Sequence, residues 1–233
     1  MNNKIKLLYV VLIGLAIFTL WPSEEADHER QLAIKVWNAH VDNNGQLNVL
    51  DVVLGKSTLK QAETVLRSQS ERALFIKLTD EKQQSESLEA YFPTSPDRSK
   101  LIIELDAPVD LLTRIKKQAY KTMVFPSGSA KVEISPADMP DIEQLLTKSI
   151  TYIPPVKLEV EVIEKQFGKA EQQILDVDGN LHLLYPALGL DAVIPQSEKN
   201  MFQFVPPEQF ERLTKLIHTS TPTETPAEIP VKQ

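Results

Sequence analysis

The 233-residue sequence contains no cysteine. This absence excludes disulfide bonds, thiolate zinc sites, iron–sulfur clusters, cysteine nucleophiles and the lipid-modified cysteine of lipoproteins. Histidine is also scarce, with four residues, and no two of them have the H-x-x-x-H spacing or another spacing typical of a metal site. The sequence therefore predicts no metal and no cofactor.

Basic residues are few compared with acidic ones. The chain has 25 Lys and Arg against 32 Asp and Glu, a formal net charge of −7. Nucleic-acid phosphates require stripes of Lys and Arg, so the composition argues against nucleic-acid binding. It argues equally against broad adhesion to anionic lipid headgroups.

Several catalytic and phosphate-binding signatures are absent as well. The sequence contains no G-x-S-x-G, Walker or G-x-G-x-x-G motif. Asp176-x-Asp178-Gly179 resembles the start of a calcium loop, but position 12 of that frame is Ala187 instead of Glu. We therefore predict a hairpin turn there and no catalytic residue. Paired carboxylates that come together only on folding remain an alternative.

One long apolar run is present, and it lies at the N-terminus. Residues 7–21 are uncharged, Lys4 and Lys6 precede them, and an acidic segment follows. The run ends in Trp21-Pro22 without small residues, which favours an uncleaved signal anchor over a cleaved signal peptide. We predict a cytoplasmic flank over 1–6, a transmembrane helix over 7–22 and a spacer over 23–30. The positive-inside rule then places the bulk of the chain in the periplasm, anchored in a bacterial inner membrane.

A pattern repeats in the remainder of the chain. Leu59–Pro93 aligns with Val160–Pro186: apolar helix positions match first, and both segments then end in an aromatic residue followed by proline. Each is followed by another strand-like run and a helix-like run. We predict an α+β fold of two similar units in tandem, each a helix with an antiparallel meander. The units span 31–120 and 121–217, the second with a leading hairpin and a short helix. Residues 218–233 are Thr/Pro-rich and predict a disordered tail.

Local signals place the elements within these units. Gln31–Trp37 alternates like a strand, and the Asp42–Gly45 turn predicts a hairpin with 46–53. Thr58 and Gln61 form a capping box for the first helix. We also predict a loop over 79–87 and an Asp106 cap before a helix. A short helix should begin at Pro140 or Asp141 and run through Leu146. Gly168 should end the later helix, and Asp178-Gly179 should form a two-residue turn.

The segment Val162–Glu171, V-I-E-K-Q-F-G-K-A-E, precedes strands that end in Tyr185-Pro186. It resembles the helix-then-meander unit of β-lactamase-inhibitor-like proteins and of the small lipoprotein of the outer-membrane barrel-assembly machine. The first copy has Arg67 where such units carry glycine. The resemblance implies an α+β fold and a role in binding other envelope proteins, without assigning any functional residue.

These observations together predict a membrane-anchored periplasmic protein that binds, tethers or assembles other envelope proteins without catalysis. The alternatives are an envelope enzyme and a module that binds lipid or cell-wall material. The candidate partner surface consists of Tyr91 and Phe92 in the first unit and Leu184 and Tyr185 in the second. The competing interpretation is that these four residues belong to an ordinary core, because apolar residues at strand spacing usually do.

Overall fold

The computed structural model describes residues 36–78, 84–93, 99–125 and 129–218. The predicted anchor over 7–22, the spacer and residues 219–233 of the predicted tail lie outside this part of the chain. Helices and antiparallel sheets are both present, which confirms a mixed α and β fold. Within the described ranges, no helix combines the length and the apolar character needed to span a membrane.

The described part contains thirteen strands, five complete α-helices and three short 3-10 helices. The helices are α1 Leu59–Leu66, α2 Val109–Gln118, α3 Met139–Glu143, α4 Val160–Phe167 and α5 Glu211–His218. The strands are β1 His40–Val41, β2 Leu47–Val49, β3 Val52–Val53, β4 Glu71–Leu78, β5 Gln84–Phe92, β6 Lys100–Leu105, β7 Thr122–Val124, β8 Ala130–Glu133, β9 Thr147–Ile153, β10 Gln172–Leu175, β11 Leu181–Tyr185, β12 Leu190–Ile194 and β13 Met201–Phe204.

Ten of these strands form one antiparallel sheet. Its order is β10-β11-β12-β13-β9-β6-β5-β4-β8-β7, and β1-β2-β3 form a separate small sheet. One meander, β4-β5-β6, lies on one side of β9, and the other, β10 to β13, lies on the opposite side. Strand β9 pairs with β6 and with β13, so it joins the two meanders.

The two faces of the large sheet differ in what covers them. Because alternate residues of a strand point to opposite faces, each strand contributes one set of side chains to each side. The main core lies on the face that we call the helix face, and residues of α1, α2, α3 and α4 pack there with Leu74, Ile103 and Phe202 of the strands. On the other face, α5 covers a second apolar cluster made of Leu184, Val205, Phe210, Leu213 and Ile217.

The start of the described chain corrects one prediction and confirms another. Val36 and Trp37 are helical, not part of a strand. The Trp37 ring lies 5.5 Å from that of Phe167 and 5.6 Å from that of Phe202, so packing onto the core overrides the alternating pattern. The predicted turn at Asp42–Gly45 is confirmed, and the Asp42 carboxylate accepts the backbone N–H groups of Asn44 and Gln46. The hairpin around this turn pairs β1 with β2, whereas the prediction paired Gln31–Trp37 with 46–53.

Helix ends follow their local chemistry. The Thr58 hydroxyl accepts the Gln61 N–H at 3.2 Å and the Gln61 side chain accepts the Thr58 N–H at 2.9 Å, which confirms the capping box. Gly168 ends α4 with a φ of 85°, as predicted. Arg67 ends α1 in the left-handed conformation with a φ of 51°, although it has a side chain. The Asp106 cap is wrong, because Pro108 occupies the N-cap of α2 without a side-chain bond.

Three other boundaries differ from prediction. Strand β5 begins at Gln84, so residues 84–87 of the loop predicted over 79–87 belong to a strand, and residues 79–83 lie outside the described part. Helix α3 ends at Glu143, short of Leu146, whose chain segment continues towards β9. The predicted two-residue turn at Asp178-Gly179 is wrong: β10 and β11 are joined by the five residues 176–180, because Asp176 accepts hydrogen bonds from within this loop.

Candidate functional site

Among the described residues, the helices cover only part of one side of the large sheet. A cross-strand row on this side runs from Tyr91 through Ile102, Thr151, Gln203 and Asp191 to Leu184. At the Leu184 end, α5 packs over the row. The apolar cluster under α5 does not extend to the Tyr91 end, because it contains no residue of β4, β5, β6 or β9. We call this uncovered part of β4, β5, β6 and β9 the open face, and its half-buried residues include Phe75, Glu89, Tyr91, Ile102, Glu104 and Thr151.

Only one of the four candidate partner residues lies on the open face. Tyr91 lies between Glu71 and Ile102 there. Phe92 is its sequence neighbour and points the other way, into the main core, where it is 1% exposed. Leu184 is fully buried beneath α5. The core interpretation therefore applies to Phe92 and Leu184, and the surface interpretation remains for Tyr91.

Tyr185 is also buried in the main core. Its hydroxyl donates a hydrogen bond of 3.1 Å to the Gly168 carbonyl, so the buried polar group has a partner. Burial, with a contribution from the negative charge of Glu164, raises the pKa of Tyr185 to about 12. The hydroxyl thus stays protonated and ties the end of α4 to β11.

Two carboxylates stand directly opposite each other on the open face. Glu89 on β5 pairs with Glu104 on β6, and like charges at such positions repel. Glu104 is well compensated: it accepts from Lys148 at 2.6 Å and from Ser149 at 3.0 Å, and Arg212 of α5 lies 3.5 Å away.

Glu89 is compensated less well. Its carboxylate accepts one hydrogen bond of 2.7 Å, from the Ser87 hydroxyl. Desolvation raises the pKa of Glu89, and the charge of Glu104 raises it further, while the Ser87 bond acts in the opposite direction. The open face therefore presents an acceptor whose charged form a cationic group would stabilise.

A groove joins the open face to α5. It encloses about 470 Å³ and its lining includes Glu104, Ser149, Thr151, Gln203 and Arg212. The lining is mixed in charge and contains hydroxyl and amide groups. Such a groove can accept polar side chains at the border of a larger contact.

On the same sheet face as Leu184, a histidine lies between two carboxylates. His182 on β11 has its Nδ1 2.8 Å from Asp191 Oδ2 on β12 and its Nε2 3.4 Å from Asp176 Oδ2 in the β10–β11 loop. Burial alone lowers the pKa of His182, but the hydrogen bonds and charges of both aspartates outweigh it, so the pKa lies above its ordinary value. Desolvation raises the pKa of Asp191, and His182 offsets part of that rise.

This cluster is suited to holding strands together, not to catalysis. Asp191 is 1% exposed, and its second carboxylate oxygen has no hydrogen-bond partner among the described residues. The Asp176 carboxylate accepts from the Asp178 N–H at 2.9 Å, the Asn180 N–H at 2.8 Å and the Asn180 side chain at 2.8 Å, so this loop's own donors satisfy it. Among the described residues, no group of three or more metal-ligating side chains has the geometry to hold an ion.

Sequence reasoning missed both the Glu89–Glu104 pair and the His182–Asp191 pair. The alternation Ser87-x-Glu89-x-Tyr91 against Leu88-x-Ala90-x-Phe92 does separate the two faces of β5. The pairing register needed to bring the partners together comes only from the fold. Comparisons of the chain with family models, curated proteins and solved structures found no match.

Proposed function

We propose that this chain is a membrane-anchored periplasmic protein that binds or assembles other envelope proteins, without catalysis, through its open face. The observation that carries this proposal is the unequal cover of one sheet face. Helix α5 packs over its Leu184 end, and the half-buried Phe75, Tyr91 and Ile102 lie beyond that cover. Apolar surface rimmed by polar groups is typical of an interaction site.

The proposed tandem repeat accounts for the unequal covering of this sheet face by helices. In the first unit, α1, β4, β5 and β6 are followed by α2; in the second, α4 and the β10–β13 meander are followed by α5. Leu111 and Ile115 of α2 join the main core on the helix face. The corresponding α5 packs on the opposite side. If the units are repeats, the described part of the chain places no helix on the open face of the first unit to match α5 of the second.

The open face also indicates the chemistry of its partner. Phe75, Tyr91 and Ile102 offer apolar contact area, and Glu89 offers an acceptor that has no cationic partner among the described residues. We infer a folded envelope protein that presents an apolar patch with a Lys or Arg side chain near it. An Arg would suit this position because its planar group donates to a carboxylate through more than one N–H.

Replacing Tyr91 tests the surface. We expect Tyr91→Ala to reduce the recovery of the partner from detergent-solubilised membranes by about tenfold or more, as expected for a contact worth about 2 kcal/mol. The melting midpoint should fall by no more than about 2–4 °C, because the side chain is only half-buried. The matched control is Val162→Ala on α4, which is 42% exposed and distant from the open face in the fold. Equal recovery of the same partner by the two variants would contradict the proposal.

A fusion tests the location. A reporter that is active only outside the cytoplasm, joined after Ile217, should be active, since the basic residues precede the apolar run and the acidic ones follow it. The control is the same fusion with residues 7–22 removed, which should be inactive. An inactive reporter on a stable full-length fusion is the result that would overturn the periplasmic assignment.

A further inference from the structure

The large sheet ends in an exposed apolar strand. Strand β7, residues Thr122–Val124, pairs with β8 on one side and has no strand on its other side within the described chain. All three of its residues are exposed, Met123 by 45% and Val124 by 72%. Tyr120 just before it is 70% exposed. Proteins usually protect a sheet edge with charges, a proline or a covering segment, so an apolar edge is a site for pairing with another strand.

The hydrogen bonds between β7 and β8 show which backbone groups of β7 point away from β8. The Phe125 N–H donates to the Ser129 carbonyl at 2.8 Å, and the Lys121 carbonyl accepts from the Glu133 N–H at 3.0 Å. In an antiparallel pair, alternate residues bond to the same neighbour. Residues 121, 123 and 125 therefore face β8, and the N–H and C=O groups of Thr122 and Val124 point outward.

These outward groups are self-complementary. When two β7 strands pair antiparallel about Met123, Thr122 of each copy lies opposite Val124 of the other. Both are then hydrogen-bonded pairs, so the four outward groups of each copy are all satisfied, with four bonds across the contact. Lys121 falls opposite Phe125, so no like charges are placed face to face.

We propose that β7 is a self-association edge, and that a second copy of this chain docks on it antiparallel, with Met123 on the two-fold axis. The large sheets of the two copies then continue into one another. This contact goes beyond the proposed function, because it uses neither the open face nor a foreign partner. A three-residue strand buries less than the roughly 1,000 Å² of a stable interface, so we expect a weak dimer that is best detected by trapping.

Met123→Cys in the full chain allows the dimer to be trapped as a disulfide, because the natural sequence contains no cysteine that could compete. In the proposed register the two Met123 residues form a non-hydrogen-bonded pair with Cα atoms about 4.5 Å apart, which suits a disulfide. Mild oxidation of the purified protein in detergent should give covalent dimer at least about tenfold faster than Val65→Cys. That control lies on α1 and is 39% exposed, close to the exposure of Met123.

A second variant tests the strand pairing itself. Val124→Pro removes an outward N–H and leaves the bonds to β8 intact, as proline is tolerated on edge strands. In the Met123→Cys background it should abolish the faster cross-linking while the melting midpoint stays within about 2 °C. Cross-linking no faster than in Val65→Cys, or cross-linking that Val124→Pro leaves unchanged, would overturn the proposal. Partner recovery through Tyr91 is unaffected by either result.

Discussion

Phe202→Ala is expected to lower the free energy of unfolding by about 3–5 kcal/mol. The Phe202 side chain is fully buried on β13. Its ring lies 5.6 Å from that of Trp37, 6.3 Å from that of Tyr152 and 6.1 Å from that of Phe167. Truncation leaves a cavity where Trp37, β9 and α4 meet, and these elements cannot all collapse into it. Chemical denaturation monitored by tryptophan fluorescence measures the change.

The matched control for this change is Tyr120→Ala, which removes an aromatic ring that is 70% exposed. It should alter the free energy of unfolding by no more than about 0.5 kcal/mol. If the two substitutions destabilise the protein equally, Phe202 is not at the centre of the core.

His182→Leu is expected to cost about 3–5 kcal/mol, for an electrostatic reason. It removes the donor at 2.8 Å from Asp191 Oδ2, while the other Asp191 oxygen already has no partner. A carboxylate that is 1% exposed is then left without compensation. The double variant His182→Leu/Asp191→Leu should regain most of this loss, because a buried ion pair replaced by apolar residues is close to neutral. A double variant less stable than His182→Leu would contradict this explanation.

The pH dependence of the same variants gives an independent measurement. The pKa of His182 is raised in the folded state, above an unfolded value of about 6.5. The stabilisation from this histidine is therefore fully present below about pH 6.5 and is lost as the pH rises through the folded pKa. Between about pH 6 and pH 9, the wild-type melting midpoint should fall more than that of the double variant. Parallel curves would show that the His182 shift contributes nothing to stability.

Local structure could be predicted from the sequence wherever a few neighbouring residues decide it. The Thr58–Gln61 capping box, the turn at Asp42 and the Gly168 helix end all depend on side chains within about four positions of the backbone they bond. The prediction of a two-residue turn at Asp178-Gly179 is wrong, and here too a nearby side chain decides the structure. The dipeptide favours a two-residue turn, but Asp176 lies two residues earlier and closes a longer loop with its carboxylate.

The candidate site could not be predicted, because it depends on pairings between distant strands. The apolar stripe of α5 predicts that the helix is buried, but it does not say on which face of the sheet. That choice separates Leu184, which is covered, from Tyr91 in the same cross-strand row, which is not. Likewise, Glu89 and Glu104 become opposed only through the register of β5 on β6.

Strand β9 has a consequence for how the chain folds. Each meander is built from strands that follow one another closely in sequence, and such hairpins form within about 1–10 μs. The bonds of β9 to β6 and to β13 instead connect segments separated by helices and a hairpin. Contacts of this kind require loop closure before they yield any stabilisation, so they slow folding. We expect the docking of β9 to be the rate-limiting step, and substitutions at Ile150 to slow refolding more than substitutions at Leu183, which stopped-flow refolding can measure.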